Sequence, residues 1–188
     1  MIEVICGPMF SGKTEELIRR LKRVKIAGLS YIVFKPSIES RYPDEVHGIT
    51  THDNESKIEA KKVSIIEEIF HYGQNYDVIA IDEAQFFEAH LFEVALALND
   101  LGKRIIISGL DLDYERKPFV TMSFLLSVAT KINKLTSVCM KCKNAGNLSL
   151  RKTNDKKQKI IGANDLYMPV CNNCYIGKDE KRTKINPN

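Results

Sequence analysis

Gly7-Pro8-Met9-Phe10-Ser11-Gly12-Lys13-Thr14 decides how the rest of the chain is read. It fits G-x-x-x-x-G-K-[ST], the pattern of a phosphate-binding loop. Before it, Ile2 to Cys6 is a short apolar run that reads as a buried strand. After it, Thr14 opens a helix with Leu17, Ile18, Leu21 and Val24 at helical spacing. A turn between strand and helix aims backbone N–H groups and the positive end of the helix at one point, which attracts phosphate oxygens. Gly7 and Gly12 permit torsions and a close approach that a side chain would block. Lys13 can reach the β- and γ-phosphates of a nucleotide, and the Thr14 hydroxyl can take Mg²⁺. An ordinary glycine turn is the alternative, and the strand–loop–helix context disfavours it.

The alternation continues downstream. Tyr31 to Phe34 reads as a second buried strand ended by Pro36, Asp77 to Ile81 as a third and Arg104 to Ser108 as a fourth. Lys57 to Val63 reads as a short edge strand. Helices are expected over Ser64 to Tyr72, with Ser64 and Glu67 as a capping box, over Leu91 to Leu101, closed by Gly102, and over Phe119 to Ile132. Arg19, Arg20, Lys22, Arg23 and Lys25 read as the solvated face of the first helix. Residues 37 to 54 lack a period and read as a long loop or hairpin, in which Arg41 could meet phosphate and Asp53 a metal. Strands alternating with helices predict an α/β fold, a mainly parallel sheet covered by helices as in P-loop nucleotide-binding proteins. Ligands of such sheets bind beyond the carboxyl ends of the strands, where Gly7, Asp82 and Gly109 all fall.

Val78-Ile79-Ala80-Ile81-Asp82-Glu83 is a second nucleotide signature. Asp82 at the end of an apolar strand suits Mg²⁺, and Glu83 beside it can act as a general base. Met9, Phe10, Phe86, Phe87, Leu110, Tyr114 and Phe119 could line a pocket for a flat ring, although each alone is more often core; Phe10 and Phe87 are assigned to the core.

After Val138 the grammar changes to cysteine pairs and a lysine-rich run, Lys152 to Lys159. Cys139-Met140-Lys141-Cys142 and Cys171-Asn172-Asn173-Cys174 are two C-x-x-C knuckles able to hold a structural Zn²⁺ in a closed Cys₄ site. The 28 residues between them imply an extended loop stapled at its base. The expected organisation is an α/β domain over 1–137, a small zinc domain over 138–180 and a polar tail over 181–188. Cys6, within the first apolar run, reads as a plain buried residue.

The 188 residues are 44% apolar, enough for one sizeable core, and carry a mild net charge of +4. That charge is a weak footprint for nucleic acid. No run approaches membrane-spanning length, and the strand starting at Ile2 leaves no room for a signal peptide. Paired C-x-x-C cysteines suit a reducing compartment, so a cytoplasmic location is expected. Two rival readings remain open from the residues alone. One is a DExx-type ATPase gripping nucleic acid with its zinc ribbon; the other is a zinc-ribbon adaptor without activity, which leaves Lys13, Asp82 and Glu83 unexplained.

Over nearly its whole length the chain resembles the zinc-containing, cellular type of thymidine kinase. The matching stretches are the phosphate loop, Thr51-His52-Asp53, Asp82-Glu83-Ala84-Gln85-Phe86-Phe87, Gly109-Leu110-Asp111, Lys117-Pro118-Phe119, both cysteine pairs and Tyr167-x-Pro169-Val170-Cys171. The resemblance implies phosphoryl transfer from ATP, with Mg²⁺, to the 5′-hydroxyl of thymidine or deoxyuridine in deoxynucleotide salvage. It implies Glu83 as base, and phosphate-donor contacts from Gly7 to Thr14, from Glu39, Ser40 and Arg41, and from Asp82, Glu83, Ala84 and Gln85. It implies a nucleoside pocket of Met9, Phe86, Leu110, Tyr114 and Phe119. A lasso pinned by the zinc is implied too, carrying Ser149, Gln158, Lys159, Ile160, Ile161, Gly162 and Tyr167. A homotetramer and feedback inhibition by dTTP are further implications. Tyr114 stands where the family commonly has phenylalanine, and Ala163-Asn164 departs from its glycine-containing stretches.

Overall fold

Strand residues alternate between two apolar neighbourhoods, as a sheet covered on both faces requires. The computed structural model describes residues 1–37, 49–50, 57–152 and 166–176. Six strands form one sheet: β1 (Ile2–Cys6), β2 (Tyr31–Pro36), β5 (Lys61–Val63), β6 (Val78–Ile81), β7 (Arg104–Gly109) and β8 (Lys131–Lys134), in the order β5-β2-β6-β7-β1-β8. Every pairing in it is parallel. On one face, Ile5, Val78, Ala80 and Ile106 pack with Leu17, Ile18, Leu21 and Val24 of α1 (Lys13–Ile26). On the other, Val4, Ile79, Ile81, Ile105 and Ile107 pack against α2 (Glu67–Gly73), α3 (Leu91–Asp100) and α4 (Val120–Val128) through Ile69, Leu91, Leu98, Met122 and Leu125. Each such side chain contributes roughly 1.5–3 kcal/mol by leaving water.

Four expectations change. The segment over 119–132 is a helix only to Val128; Ala129 is extended, and β8 follows as a sixth strand with Glu3 opposite Lys131. Lys131-Ile132-Asn133-Lys134 carries no apolar alternation because it is an outer strand, and edge lysines deter pairing with another chain. The Thr130 hydroxyl ties its start to Ile2, accepting from Ile2 N at 3.1 Å and donating to Ile2 O at 2.8 Å. The Ser64–Glu67 capping box does not form. Helix α2 starts at Glu67 after Ile66 with no side-chain cap, and the Ser64 hydroxyl pairs with that of Ser37 at 2.8 Å.

Lys57 to Val63 divides in two: β4 (Lys57–Ile58) pairs antiparallel with β3 (Ile49–Thr50), while β5 joins the sheet edge beside β2. Arg20 is not on the solvated face. It is buried, and its guanidinium meets Glu3 at 2.5 Å and Glu16 at 2.9 Å, with Arg104 on the other oxygen of Glu3 at 2.6 Å. A buried Glu3 carboxylate on a core strand needs this pairing.

Beyond Lys134 the chain leaves the large sheet. β9 (Ser137–Val138) pairs antiparallel with β10 (Ala145–Gly146), and β11 (Leu148–Arg151) with β12 (Tyr167–Val170), ahead of α5 (Asn172–Ile176). Cys139, Leu148, Leu150 and Val170 form their own buried cluster.

Candidate active site

The phosphate loop follows β1 and wraps the start of α1. Gly7 has φ +141, and a Cβ there would lie 2.4 Å from the Leu135 carbonyl oxygen, so the loop passes against the end of β8 without room for a side chain. Leu135 N donates to Cys6 O at 2.8 Å and fixes that approach. Gly12, at φ +79, sits at the N-cap of α1, and Phe10 also has positive φ, 62°. Phe10 is half-buried and joins none of the core clusters, unlike the core assignment made from sequence; Phe87 does lie in the core. The Lys13 ammonium donates to Pro8 O at 2.7 Å and the Ser11 hydroxyl to the same oxygen at 2.8 Å. Met9 N donates to Ser149 Oγ at 2.9 Å, so β11 touches the loop directly.

Two strands along, β6 delivers the acids. Asp82 is buried; one carboxylate oxygen accepts from the Ser108 hydroxyl of β7 and from Glu83 N at 3.0 Å, and the other faces the Thr14 hydroxyl at 3.4 Å. Burial first, then the Glu83 carboxylate, raise the pKa of Asp82, against the Ser108 hydroxyl, the Glu83 N–H and the Lys13 charge. The Lys13 and Glu83 charges thus both act on Asp82, and the Thr14 hydroxyl faces it, across the strand ends. Glu83 itself sits in the left-handed region at φ 53, ψ 41, opening a 3₁₀ turn over Ala84–Phe86. A non-glycine residue there stores on the order of 1–3 kcal/mol, as functional positions often do.

The Gln85 side chain is buried; its amide NH₂ donates to Glu83 Oε2 and its oxygen accepts from Leu110 N at 2.9 Å. Phe86 lines a cavity of about 360 Å³ at the carboxyl ends of β2 and β5, with Ser37, Ser64, Glu67, Glu88 and His90. Phe119 is buried in the core cluster, and its N–H donates to Asp111 O at 3.1 Å. Asp111 is clamped by the Lys134 ammonium at 2.7 Å. Cys6 is buried as expected, and burial, helped by the Asp111 charge, pushes its thiol up to about 11, which disfavours the reactive thiolate.

A second cluster of polar and aromatic side chains comes from the C-terminal hairpins. Tyr114, in the loop after β7, lies under the Arg151 guanidinium, 3.6 Å from ring centroid to Cζ. Arg151 is buried and donates to the Tyr167 hydroxyl through Nη2 at 2.5 Å and Nε at 3.1 Å. Tyr175 Oη closes the group by donating to Tyr114 O at 2.7 Å. Arg151 had no signal in the sequence, since a single arginine ahead of the lysine-rich run belongs to no motif. Ser108 was equally hidden, as the last polar position of an apolar strand. Glu39, Ser40, Arg41, Thr51-His52-Asp53 and Gln158, Lys159, Ile160, Ile161 and Gly162 lie outside the described residues.

Cys139, Cys142, Cys171 and Cys174 converge, with all four Sγ atoms within 4.8 Å of one another and Cys142 Sγ 3.5 Å from Cys171 Sγ. A tetrahedral site with Zn–S bonds near 2.3 Å places its sulfurs about 3.8 Å apart, so the four could hold a zinc ion. Cys174 N donates to Cys171 Sγ at 3.4 Å, which lowers the pKa of that thiol and favours the thiolate a metal needs. The first knuckle is tied to β12 by Met140 N donating to Pro169 O at 2.9 Å.

Comparison with known proteins joins these features. The family model described as thymidine kinase matches residues 1–175. The chain belongs to the thymidine kinase family. The thymidine kinase of Bacteroides thetaiotaomicron is 42% identical over 175 residues, covering 93% of this chain and 86% of that one. That of Porphyromonas gingivalis is 44% identical over 174 residues, covering 93% and 84%. That of Mycoplasma mobile is 40% identical over 186 residues, covering 98% and 92%. Among solved structures, the genome packaging NTPase B204 of Sulfolobus turreted icosahedral virus 2 in complex with ATP-gammaS aligns at a TM-score of 0.46 and 18% identity, over 84% of this chain and 77% of that one. So distant a likeness adds nothing to the family assignment. Among the described residues, no helix of this thymidine kinase family member is long and apolar enough to cross a membrane.

Proposed function

We propose that the protein transfers the γ-phosphoryl group of ATP to the 5′-hydroxyl of thymidine, and of deoxyuridine, giving the monophosphate and ADP. The observation that carries this reading is the meeting of Thr14 and Asp82, 3.4 Å apart, with Glu83 next in chain and Lys13 within electrostatic reach. The backbone N–H groups of residues 10 to 14 cradle the phosphates, and Lys13 exchanges Pro8 O for a phosphate oxygen. Thr14 Oγ1 and the Asp82 carboxylate are the groups that would hold Mg²⁺, which neutralises charge on the transferring phosphates. Glu83 accepts the proton of the 5′-hydroxyl as its oxygen attacks phosphorus. Nearly all the acceleration then comes from position and charge, because the chain forms no covalent bond to the substrate.

Met9, Phe86, Leu110, Tyr114 and Phe119 wall the nucleoside site, with Ser149 and Tyr167 reaching it from the β11–β12 hairpin. Phe119 acts from the core side, shaping the wall rather than facing the ligand. Cys139, Cys142, Cys171 and Cys174 would hold a zinc ion, which would fix the base of that hairpin and of the lasso that carries residues 158–162. Glu39 to Arg41 contribute to phosphate contacts, and the boundary between the two structural units falls near residue 137. Assembly as a cytoplasmic homotetramer inhibited by dTTP completes the proposal. Incubation with ATP, Mg²⁺ and each nucleoside separately tests it. Thymidine should yield a monophosphate with stoichiometric ADP, and ATP hydrolysis stimulated by DNA without nucleoside phosphorylation would refute it.

A further inference from the structure

Gln85 is the buried side chain whose two ends serve two different parts of the site. Its oxygen accepts from Leu110 N at 2.9 Å, and its NH₂ donates to Glu83 Oε2. This orientation is the one chemistry allows. Leu110 N–H requires an acceptor and the Glu83 carboxylate a donor, so exchanging the amide's O and N would set donor against donor and acceptor against acceptor. The position is over-determined by packing as well. Gln85 is 1% exposed, and a Cβ on Gly109 would lie 2.8 Å from its oxygen and 2.7 Å from Met122 Sδ. Among the described residues no buried side-chain nitrogen or oxygen lacks a partner, so the bridge sits in a fully satisfied site.

We infer that Gln85 is a positioning residue: it holds the Glu83 carboxylate at a fixed setting against the Leu110 wall of the acceptor pocket, so the proton acceptor and the nucleoside are placed by one amide. The inference rests on the reading of Glu83 as base. Glu83 lies in the left-handed region at the mouth of a 3₁₀ turn, and the Gln85 amide two residues on in that turn reaches its carboxylate. The role differs from a phosphate contact by the Gln85 side chain, whose two ends are already engaged within the fold.

Gln85→Met keeps length and bulk and removes both hydrogen bonds. Measured with ATP and thymidine, it should lower kcat by about 10- to 100-fold, the scale of a misplaced reacting group. The KM for ATP should stay within about two-fold, since nucleotide binding is untouched. The decisive arm repeats the change in a Glu83→Gln background. There Gln85→Met should cost less than about two-fold in kcat, because the residue it positions has lost its function. Equal losses in both backgrounds would show a structural role and overturn the inference. Gly109→Ala, which displaces the Gln85 oxygen from the other side, should reproduce the kcat loss, and unchanged kcat in that variant would also count against it.

One further arm needs no turnover. The denaturant midpoint of Glu83→Gln/Gln85→Met should fall by less than the sum of the single shifts. Strict additivity would dissolve the link, even if wild-type protein failed to phosphorylate thymidine and the proposed function fell separately.

Discussion

Gly7→Ala probes why the phosphate loop must begin with glycine. Gly7 has φ +141, a region all but closed to residues with a Cβ, and the new methyl would stand 2.4 Å from the Leu135 carbonyl oxygen. The backbone strain alone costs about 1–3 kcal/mol. Ordinary contact begins near 3.4 Å, so the loop or β8 must retreat by roughly 1 Å, and overpacking of that kind typically costs about 1–3 kcal/mol more. The neighbour cannot yield cheaply: Leu135 N bonds to Cys6 O at 2.8 Å, and Lys134 beside it holds Asp111 at 2.7 Å. The total, about 2–6 kcal/mol, corresponds at roughly 2–4 °C per kcal/mol to a lowered Tm of about 4–24 °C. Gly102→Ala is the control, with φ +79 but nothing within 4 Å of the added Cβ. It should lose only the left-handed backbone term, about 1–2 kcal/mol, and keep full ATP affinity. Thermal unfolding and ATP titration are run on both. If Gly7→Ala proves no less stable than Gly102→Ala and binds ATP normally, the argument from the Leu135 contact is wrong.

Three other outcomes are expected. Glu83→Gln should remove most of kcat while ATP still binds, and near-normal turnover in a single-turnover assay would exclude it as the base. Cys171→Ser should release metal measured by elemental analysis and raise the thymidine KM or melt the β11–β12 hairpin; metal-free protein with unchanged KM and Tm would count against a structural zinc. Arg151→Met removes the guanidinium lying over Tyr114 and the bonds to Tyr167. A buried cation–π contact contributes about 2 kcal/mol to the folded state, so Tm should fall by about 4–8 °C and the thymidine KM should rise with the KM for ATP unchanged; equal effects on both would place Arg151 elsewhere in the mechanism.

By itself the sequence determined the strand–loop–helix at residues 2–26, the acid pair closing β6, the α/β class and the two cysteine knuckles. These are local: the phosphate loop needs its glycines, lysine and threonine in consecutive positions, and core strands need unbroken apolar runs. Tertiary structure decided the rest. β8 is a strand because β1 offers it an open edge, although Lys131 to Lys134 alone has no strand pattern. Arg20 leaves the solvated face because Glu3, 17 residues away, lies buried beneath it. Ser64 leaves its helix cap because Ser37 stands opposite. The bridge from Glu83 through Gln85 to Leu110 and the stack of Arg151 between Tyr114 and Tyr167 join residues from separate elements. Hydrogen bonds and ring contacts depend on distance in space, and spacing along the chain carries no record of them.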